Sequence, residues 1–280
     1  MIDLFSTPSL ITIILGTVSL LIPIIDALNK EKSSKNKVYC GIAFGSLVLA
    51  LIIVIVRVVS GETLPALSLA SDSVITDDVF GAFFSVAFLI VSIMVTVSSW
   101  SYMKKKSNHA SYYSLILLSS IGMILIGYST DFIMLLVSWE LMSIPTYALA
   151  AFSKKDPISN EASIKYFLFE ALSTAIIILA MGIVYGITGT TNIYDSIVAL
   201  SNIKSELVPF GVLAVGLFIA GFGFKMGLVP FHMWLPDTYS GSPTTVATLL
   251  AAGTKKAGFA AAIRVIIIGL VALDVQWSLV

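Results

Sequence analysis

Glu140, Glu170, Lys165, Lys225, Lys255, Lys256 and Arg264 lie within or beside long apolar stretches of this sequence, with Asp26 nearer the end of one. A charge at the centre of a membrane helix costs about 2.5–3.5 kcal/mol on insertion scales. Several together therefore point to an internal ion or proton path rather than to packing. Glu140 stands in Ser138-Trp139-Glu140-Leu141-Met142-Ser143-Ile144-Pro145, near the middle of its apolar run, and Pro145 removes a backbone donor just beyond it. Such a carboxyl is either a hydrogen-bonded structural group inside a bundle or an ionisable relay. Lys225 stands in Gly221-Phe222-Gly223-Phe224-Lys225-Met226-Gly227, with Pro230 and Pro236 close behind. That density of glycine and proline marks a broken helix lining a cavity, where a lysine can exchange a proton. The competing reading is a snorkelling anchor.

Lys255 and Lys256 are adjacent, so on a helix they point about 100° apart and only one can face an internal site. Thr248, Thr254 and Gly253 offer hydroxyls or room for water beside them. Lys165 and Glu161 have the four-residue spacing of a surface ion pair. Glu170, deeper in the same run, is either a second carboxylate facing the relay or a lateral contact to a partner. His232 and Asp237 close the segment Pro230-Phe231-His232-Met233-Trp234-Leu235-Pro236-Asp237, where the histidine is a proton shuttle or a structural group. The sequence carries no metal-ligand spacing of His, Cys, Asp and Glu, no phosphate loop, no dinucleotide fingerprint and no activated serine or cysteine. Redox chemistry is therefore expected in other subunits.

Membrane spans must position these residues. The chain has 280 residues, is 58% hydrophobic and has a mean hydropathy of +1.00, while only 11% of its residues are charged. Soluble domains carry about 25% charged residues, and half that amount cannot cover a globule. Eight runs long enough to cross a bilayer lie at 8–28, 39–59, 79–99, 111–129, 131–152, 162–188, 207–229 and 243–271. The fold expected is an all-α integral membrane protein of about eight transmembrane helices, since none of the runs alternates as barrel strands do. Met1 to Pro8 holds Asp3 and no basic residue, so the first run reads as a retained span rather than a signal peptide. Sixteen basic side chains balance sixteen acidic ones, which excludes the cationic face of a nucleic-acid binder. Cys40, the single cysteine, excludes an intrachain disulfide.

Lysines divide unevenly between the two sides. The connections after spans one, three and five hold Lys30, Lys32, Lys35, Lys37, Lys104, Lys105, Lys106, Lys154 and Lys155. The other side offers Arg57 and Lys204 among Glu62, Asp72, Asp77, Asp78, Asp131, Asp195 and Glu206. The positive-inside rule makes the odd-numbered connections cytoplasmic and the N-terminus external, in the cell membrane. Gly41/Gly45, Gly182/Gly186 and Gly223/Gly227 have the spacing of close helix contacts, with ordinary bundle packing as the plainer reading. Trp100, Tyr102 and Tyr112 read as interfacial belt residues.

Lys225-Met226-Gly227-Leu228-Val229-Pro230-Phe231-His232-Met233-Trp234-Leu235-Pro236-Asp237, then Tyr239-Ser240-Gly241-Ser242-Pro243-Thr244-Thr245-Val246 and Thr254-Lys255-Lys256-Ala257-Gly258-Phe259, resemble the antiporter-like membrane subunits of respiratory complex I and related complexes. The subunit N branch, with its deazaflavin-linked equivalents, is the most similar. Trp139-Glu140-Leu141, Lys165-Tyr166-Phe167-Leu168 and Tyr185-Gly186-Ile187-Thr188-Gly189-Thr190 fit in the same order, and the resemblance runs strongly over 131–265.

The resemblance implies that Glu140 and Lys225 form a pair whose separation tunes the lysine's proton affinity. Lys255, rather than Lys256, takes the place of the family's central relay lysine, and His232 that of the histidine at the break after the seventh span. Glu170 falls where a small residue is more usual. The family fold has about fourteen helices with two inverted five-helix repeats. Residues 1–110 then form an N-terminal three-helix segment and 111–280 the first repeat, with the second repeat absent from these residues. The implied activity is proton translocation within a quinone oxidoreductase complex. No cofactor is expected in this subunit; quinone and redox cofactors belong to partner subunits, and the partners are other membrane subunits, the bilayer and protons. A subunit of a multisubunit sodium/proton antiporter and a non-translocating assembly scaffold are the rival readings.

Overall fold

The computed structural model describes residues 6–28, 35–61, 73–104, 106–201 and 203–268, and these form helices joined by short connections. Eight are long and apolar enough to cross a membrane. In order they are α1 (Thr7–Leu28), α2 (Lys35–Ser60), α3 (Val79–Met103), α4 (His109–Tyr128), α5 (Phe132–Ala150) and α6 (Pro157–Thr188), with the amphipathic α7 (Ile193–Ser201) preceding α8 (Val208–Met226). After α8 come the short α9 (Leu235–Gly241) and then α10 (Thr244–Leu249), a π-helical turn (Leu250–Thr254), α11 (Lys255–Ala262) and a second π segment (Ile263–Ile268). All eight expected spans are therefore present; α8 is the seventh and the run from α10 onward is the eighth. Lys30, Lys32, Glu62, Asp72 and Lys105 of the charge tally lie outside the described residues.

Local chemistry sets the helix ends. Asp78, Asp131 and Asp156 cap α3, α5 and α6, each carboxylate accepting backbone N–H bonds from the first turn. Pro157 follows Asp156 at the first helical position, where its missing N–H costs nothing. Asn192 starts α7 in the same way, its side chain accepting from Tyr194 N at 2.9 Å and Asp195 N at 3.2 Å. That cap is why a helix forms in the polar 189–206 stretch, whose nine-residue run is too short to read as a span. Thr191 Oγ1 donates to Asp131 Oδ2 at 2.6 Å and so ties the entrance of α7 to that of α5.

α4 is buried along almost its whole length, with α1, α3, α5 and α11 around it. Tyr112, expected in an interfacial belt, is instead fully buried in α4, with its hydroxyl hydrogen-bonded to Ser99 and, at 2.6 Å, to Thr245. Trp100 is exposed and carries Lys104 over its ring. Of the three glycine pairs, Gly223/Gly227 lies against Phe231, Leu235 and Lys255, but the other two make no helix contact among the described residues. Gly41, Gly45, Gly182 and Gly186 face open space, whereas a Cβ on Gly122 would overlap the backbone of Met142 and is what lets α4 and α5 touch.

Arg264 sits in the second π segment and is fully buried. Its Nη2 donates to Asp78 Oδ1 at 2.7 Å and Oδ2 at 2.9 Å, its Nε donates to Gly127 O at 2.8 Å, and the guanidinium lies 4.7 Å over the ring of Phe80. Asp78, which the sequence places in an outer connection, is thereby buried, capping α3 and holding the far end of the eighth span at once. Arg264 thus joins three elements. Removing one partner of a buried pair strands the other charge and costs about 3–5 kcal/mol. Asp78→Ala should lower the thermal unfolding midpoint of the detergent-purified protein markedly, and the double variant Asp78→Ala/Arg264→Leu should recover part of that loss.

Candidate functional site

Helix α6 meets α8 closely because Gly221 leaves no side chain between them: a Cβ there would overlap Ile177, and Ser173 Oγ donates to Gly221 O at 2.8 Å. Residues four apart share a helix face, so Glu170 and Thr174 flank Ser173 and turn toward the last turn of α8. Lys225 occupies that turn. Its Nζ donates to Glu170 Oε2 at 2.8 Å and to Thr174 Oγ1 at 2.9 Å, and lies 4.6 Å over the ring of Trp139. The side chains of Lys225 and Glu170 are 2% and 6% exposed, so this is an ion pair withdrawn from lipid and water alike. The negative end of the α8 dipole adds to the attraction for the ammonium.

Glu140 is half-buried on α5 and accepts from Thr174 Oγ1 at 3.3 Å. Among the described residues it makes no direct ion pair with Lys225, contrary to the pairing that the resemblance implies. The reason is angular. Trp139, one residue earlier and about 100° round the helix, takes the side of α5 that faces the ammonium and turns Glu140 toward α6. Thr174 is consequently the link between the two, and the carboxylate touching Lys225 is Glu170. The stripe Glu170, Ser173, Thr174, Ile177 on one face of α6 is the sequence signal that could have found both residues.

The seventh span breaks just past Lys225. Gly227 ends α8 with φ +68°, its N–H bonded to Phe224 O at 3.1 Å, and the chain turns through Leu228–Trp234 before α9 begins. Aromatic packing fills the turn: Phe231 lies 4.5 Å from Phe224, Trp234 stacks on Tyr166 at 5.3 Å, and Trp234 Nε1 donates to Phe224 O at 3.1 Å. His232 is exposed on this turn. Lys165 does form the expected pair with Glu161, at 2.7 Å, and also reaches Asp237 at 2.6 Å, fastening α9 to α6.

Lys255 starts α11 directly after the π turn and is half-buried, with Nζ 5.0 Å over the ring of Tyr239 and its stem against Gly227. Lys256 is exposed over Phe259, so adjacent lysines diverge as helical geometry requires. The hydroxyls of Thr248 and Thr254 are committed to carbonyls four residues back in their own helix, and Met123 Sδ fills the space at Gly253. They therefore do not open a wet chamber beside Lys255. A cavity of about 10 Å³ adjoins Lys225, Thr174, Trp139 and Met181, room for about one water. Among the described residues, no three His, Cys, Asp or Glu side chains are grouped to hold a metal.

Residues 129–280, just over half the chain, match the family described as NADH:quinone oxidoreductase/Mrp antiporter, transmembrane. The chain belongs to this family. Within the NADH:quinone oxidoreductase/Mrp antiporter family, F(420)H(2) dehydrogenase subunit N of Methanosarcina mazei is 43% identical over 201 residues, covering 72% of this chain and 40% of that protein. NADH-quinone oxidoreductase subunit N of Trichlorobacter lovleyi is 37% identical over 209 residues, covering 74% and 43%. A chain of respiratory complex I from Thermus thermophilus superposes with a TM-score of 0.75 at 27% identity, covering 91% of this chain and 53% of that one. An archaeal membrane-bound sulfane sulfur reductase shares the fold, with a TM-score of 0.77 at 20% identity. The chain spans less than half the length of these curated relatives.

Gly227 offers a direct check on the break. A Cβ there would meet Leu235 Cδ1 at 2.5 Å and Lys255 Cε at 3.4 Å, and the left-handed backbone adds about 1–2 kcal/mol for any L-residue. Gly227→Ala should lower the unfolding midpoint, whereas Gly182→Ala, facing open space, should leave it unchanged or raise it.

Proposed function

We propose that this chain is the proton-carrying part of a membrane subunit in a complex I-like quinone oxidoreductase. The observation that carries the reading is Lys225, an ammonium almost wholly removed from solvent yet hydrogen-bonded through one hydroxyl to Glu140 and seated at a broken helix. An ionisable group inside a membrane span is a functional-site hypothesis by default. Family membership and the subunit N relatives support the same assignment.

In this reading 111–280 acts as a five-helix proton-carrying unit, with its lysine-rich connections facing the cytoplasm of a cell-membrane complex. Lys225 holds a proton while a carboxylate is beside it. When the carboxylate withdraws, an N–H bond of Lys225 breaks and the proton passes along hydroxyls and water to the lone pair of a neutral Lys255 amine, leaving an amine at Lys225 and an ammonium at Lys255. The neighbouring cavity, about 10 Å³, is at the lower limit of room for a single water, so this transfer waits on an opening around the α8 break. His232, exposed on that break, exchanges protons with water. Quinone reduction, carried out with redox cofactors in partner subunits, supplies the driving force.

Lys225→Ala, Glu140→Gln and Lys255→Ala should each reduce proton transport by the assembled complex in membrane vesicles at least tenfold. Undiminished transport in all three would overturn the relay. The family description also names an antiporter branch; transport that requires sodium and stops when potassium replaces it would favour that second reading.

A further inference from the structure

We propose that Glu170 and Thr174 make this site a three-point one, in which Glu170 is the resting counter-ion of Lys225 and the Thr174 hydroxyl carries the proton between Lys225 and Glu140. This rests on the relay reading of Lys225. Glu170 is the shorter and more buried of the two carboxylate connections: it touches Nζ directly at 2.8 Å, while Glu140 is reached only through Thr174. The ammonium has three N–H groups. One goes to Glu170 and one to Thr174, and the cation lies over the Trp139 ring. Lys225 is thus held rather than poised.

Thr174 has the polarity that a relay needs. Its oxygen accepts from Lys225 Nζ while its own proton is donated to Glu140 Oε1. A concerted shift breaks an Nζ–H bond and forms a bond to Thr174 Oγ1, as the Oγ1–H proton moves to Glu140. Lys225 becomes a neutral amine and Glu140 a carboxylic acid. Thr174 ends unchanged except for the identity of its proton, and total charge is conserved. Run in reverse, the same shift reloads a neutral Lys225 from protonated Glu140 once its proton has passed to Lys255; Glu170, ionised beside Nζ, favours the reloading and opposes the shift toward Glu140.

Two carboxylates serve one ammonium here: Glu170 balances Lys225 directly, and the half-buried Glu140 is a second acid linked to it through Thr174. Two carboxylates facing one ammonium give the site room for one proton more than a simple pair. Other ionisable groups on these elements are Tyr166, one turn before Glu170 on α6, and Tyr147 on α5, whose rings meet at 5.0 Å, and Lys255, whose stem packs on Gly227 at the end of α8. Neither phenol interposes in the hydrogen bonds from Lys225 to Glu170 and Thr174.

The test is proton transport per electron by the assembled complex in sealed vesicles. Thr174→Val, which changes no charge and almost no volume, should lower transport about tenfold, and Thr174→Ser should restore it because the hydroxyl returns. Glu170→Gln should at least halve the protons moved per electron, with Glu170→Asp recovering part. Wild-type ratios in both Thr174→Val and Glu170→Gln, alongside a defective Lys225→Ala, would overturn this inference and leave the relay intact. Wild-type transport in Lys225→Ala as well would overturn both. If Glu170→Gln does not assemble, the Thr174 pair decides: loss in valine with recovery in serine supports the relay hydroxyl, and equal behaviour of the two refutes it.

Discussion

An ammonium taken out of water must be met by something negative, and the surroundings of Lys225 are shaped by that requirement. The carboxylate comes from α6, which has to lie against α8 closely enough for a hydrogen bond of 2.8 Å. Such closeness needs a glycine at 221 and a hydroxyl at 173 to satisfy the carbonyl it exposes. Once the two helices touch there, Trp139 from α5 closes the remaining side as a ring rather than a charge. Gly227, in a left-handed conformation, ends α8 two residues past Lys225, where the helix dipole favours the cation.

Two buried cations in one chain invite comparison. Arg264 and Lys225 are both paired with carboxylates and both lie against aromatic rings. Their chemistry differs at the decisive point, because a guanidinium does not release its proton in a protein, whereas an ammonium can. Arg264 is also multiply bonded to two fixed elements, the α3 cap and the end of α4. It behaves as a rivet. Lys225, bonded through a threonine to a second acid, has an alternative place for its proton.

The eight spans were legible because length and hydrophobicity alone decide whether a helix can cross a bilayer. Glu140, Lys225 and Lys255 stood out for the same reason, as charges where charges are expensive. Partnership was harder to read. Glu170 lies thirty positions from Glu140 and is a carboxylate in an apolar run like it; the rotational settings of α5 and α6 decide which one meets the lysine. Asp78 and Arg264 are 186 residues apart; Arg264 stands out as a charge in an apolar run, but nothing in the sequence names Asp78, a loop acid, as its partner. Tyr112 was misplaced because a lysine-rich neighbourhood does not distinguish a side chain facing headgroups from one turned into the bundle. α7 and the π turns depend on a cap and on register, which hydropathy does not register.

The same rivet has a mechanical meaning for the eighth span. Arg264 fixes one end of it, while nine residues earlier Lys255 lies beside an interrupted α8 and a π turn. A rod fastened at one end moves most at the other. Over the roughly 13 Å of helix between them, a tilt of about 5° about the arginine pivot would swing the base of Lys255 by about 1 Å, a lever arm built from a salt bridge that itself never moves a proton.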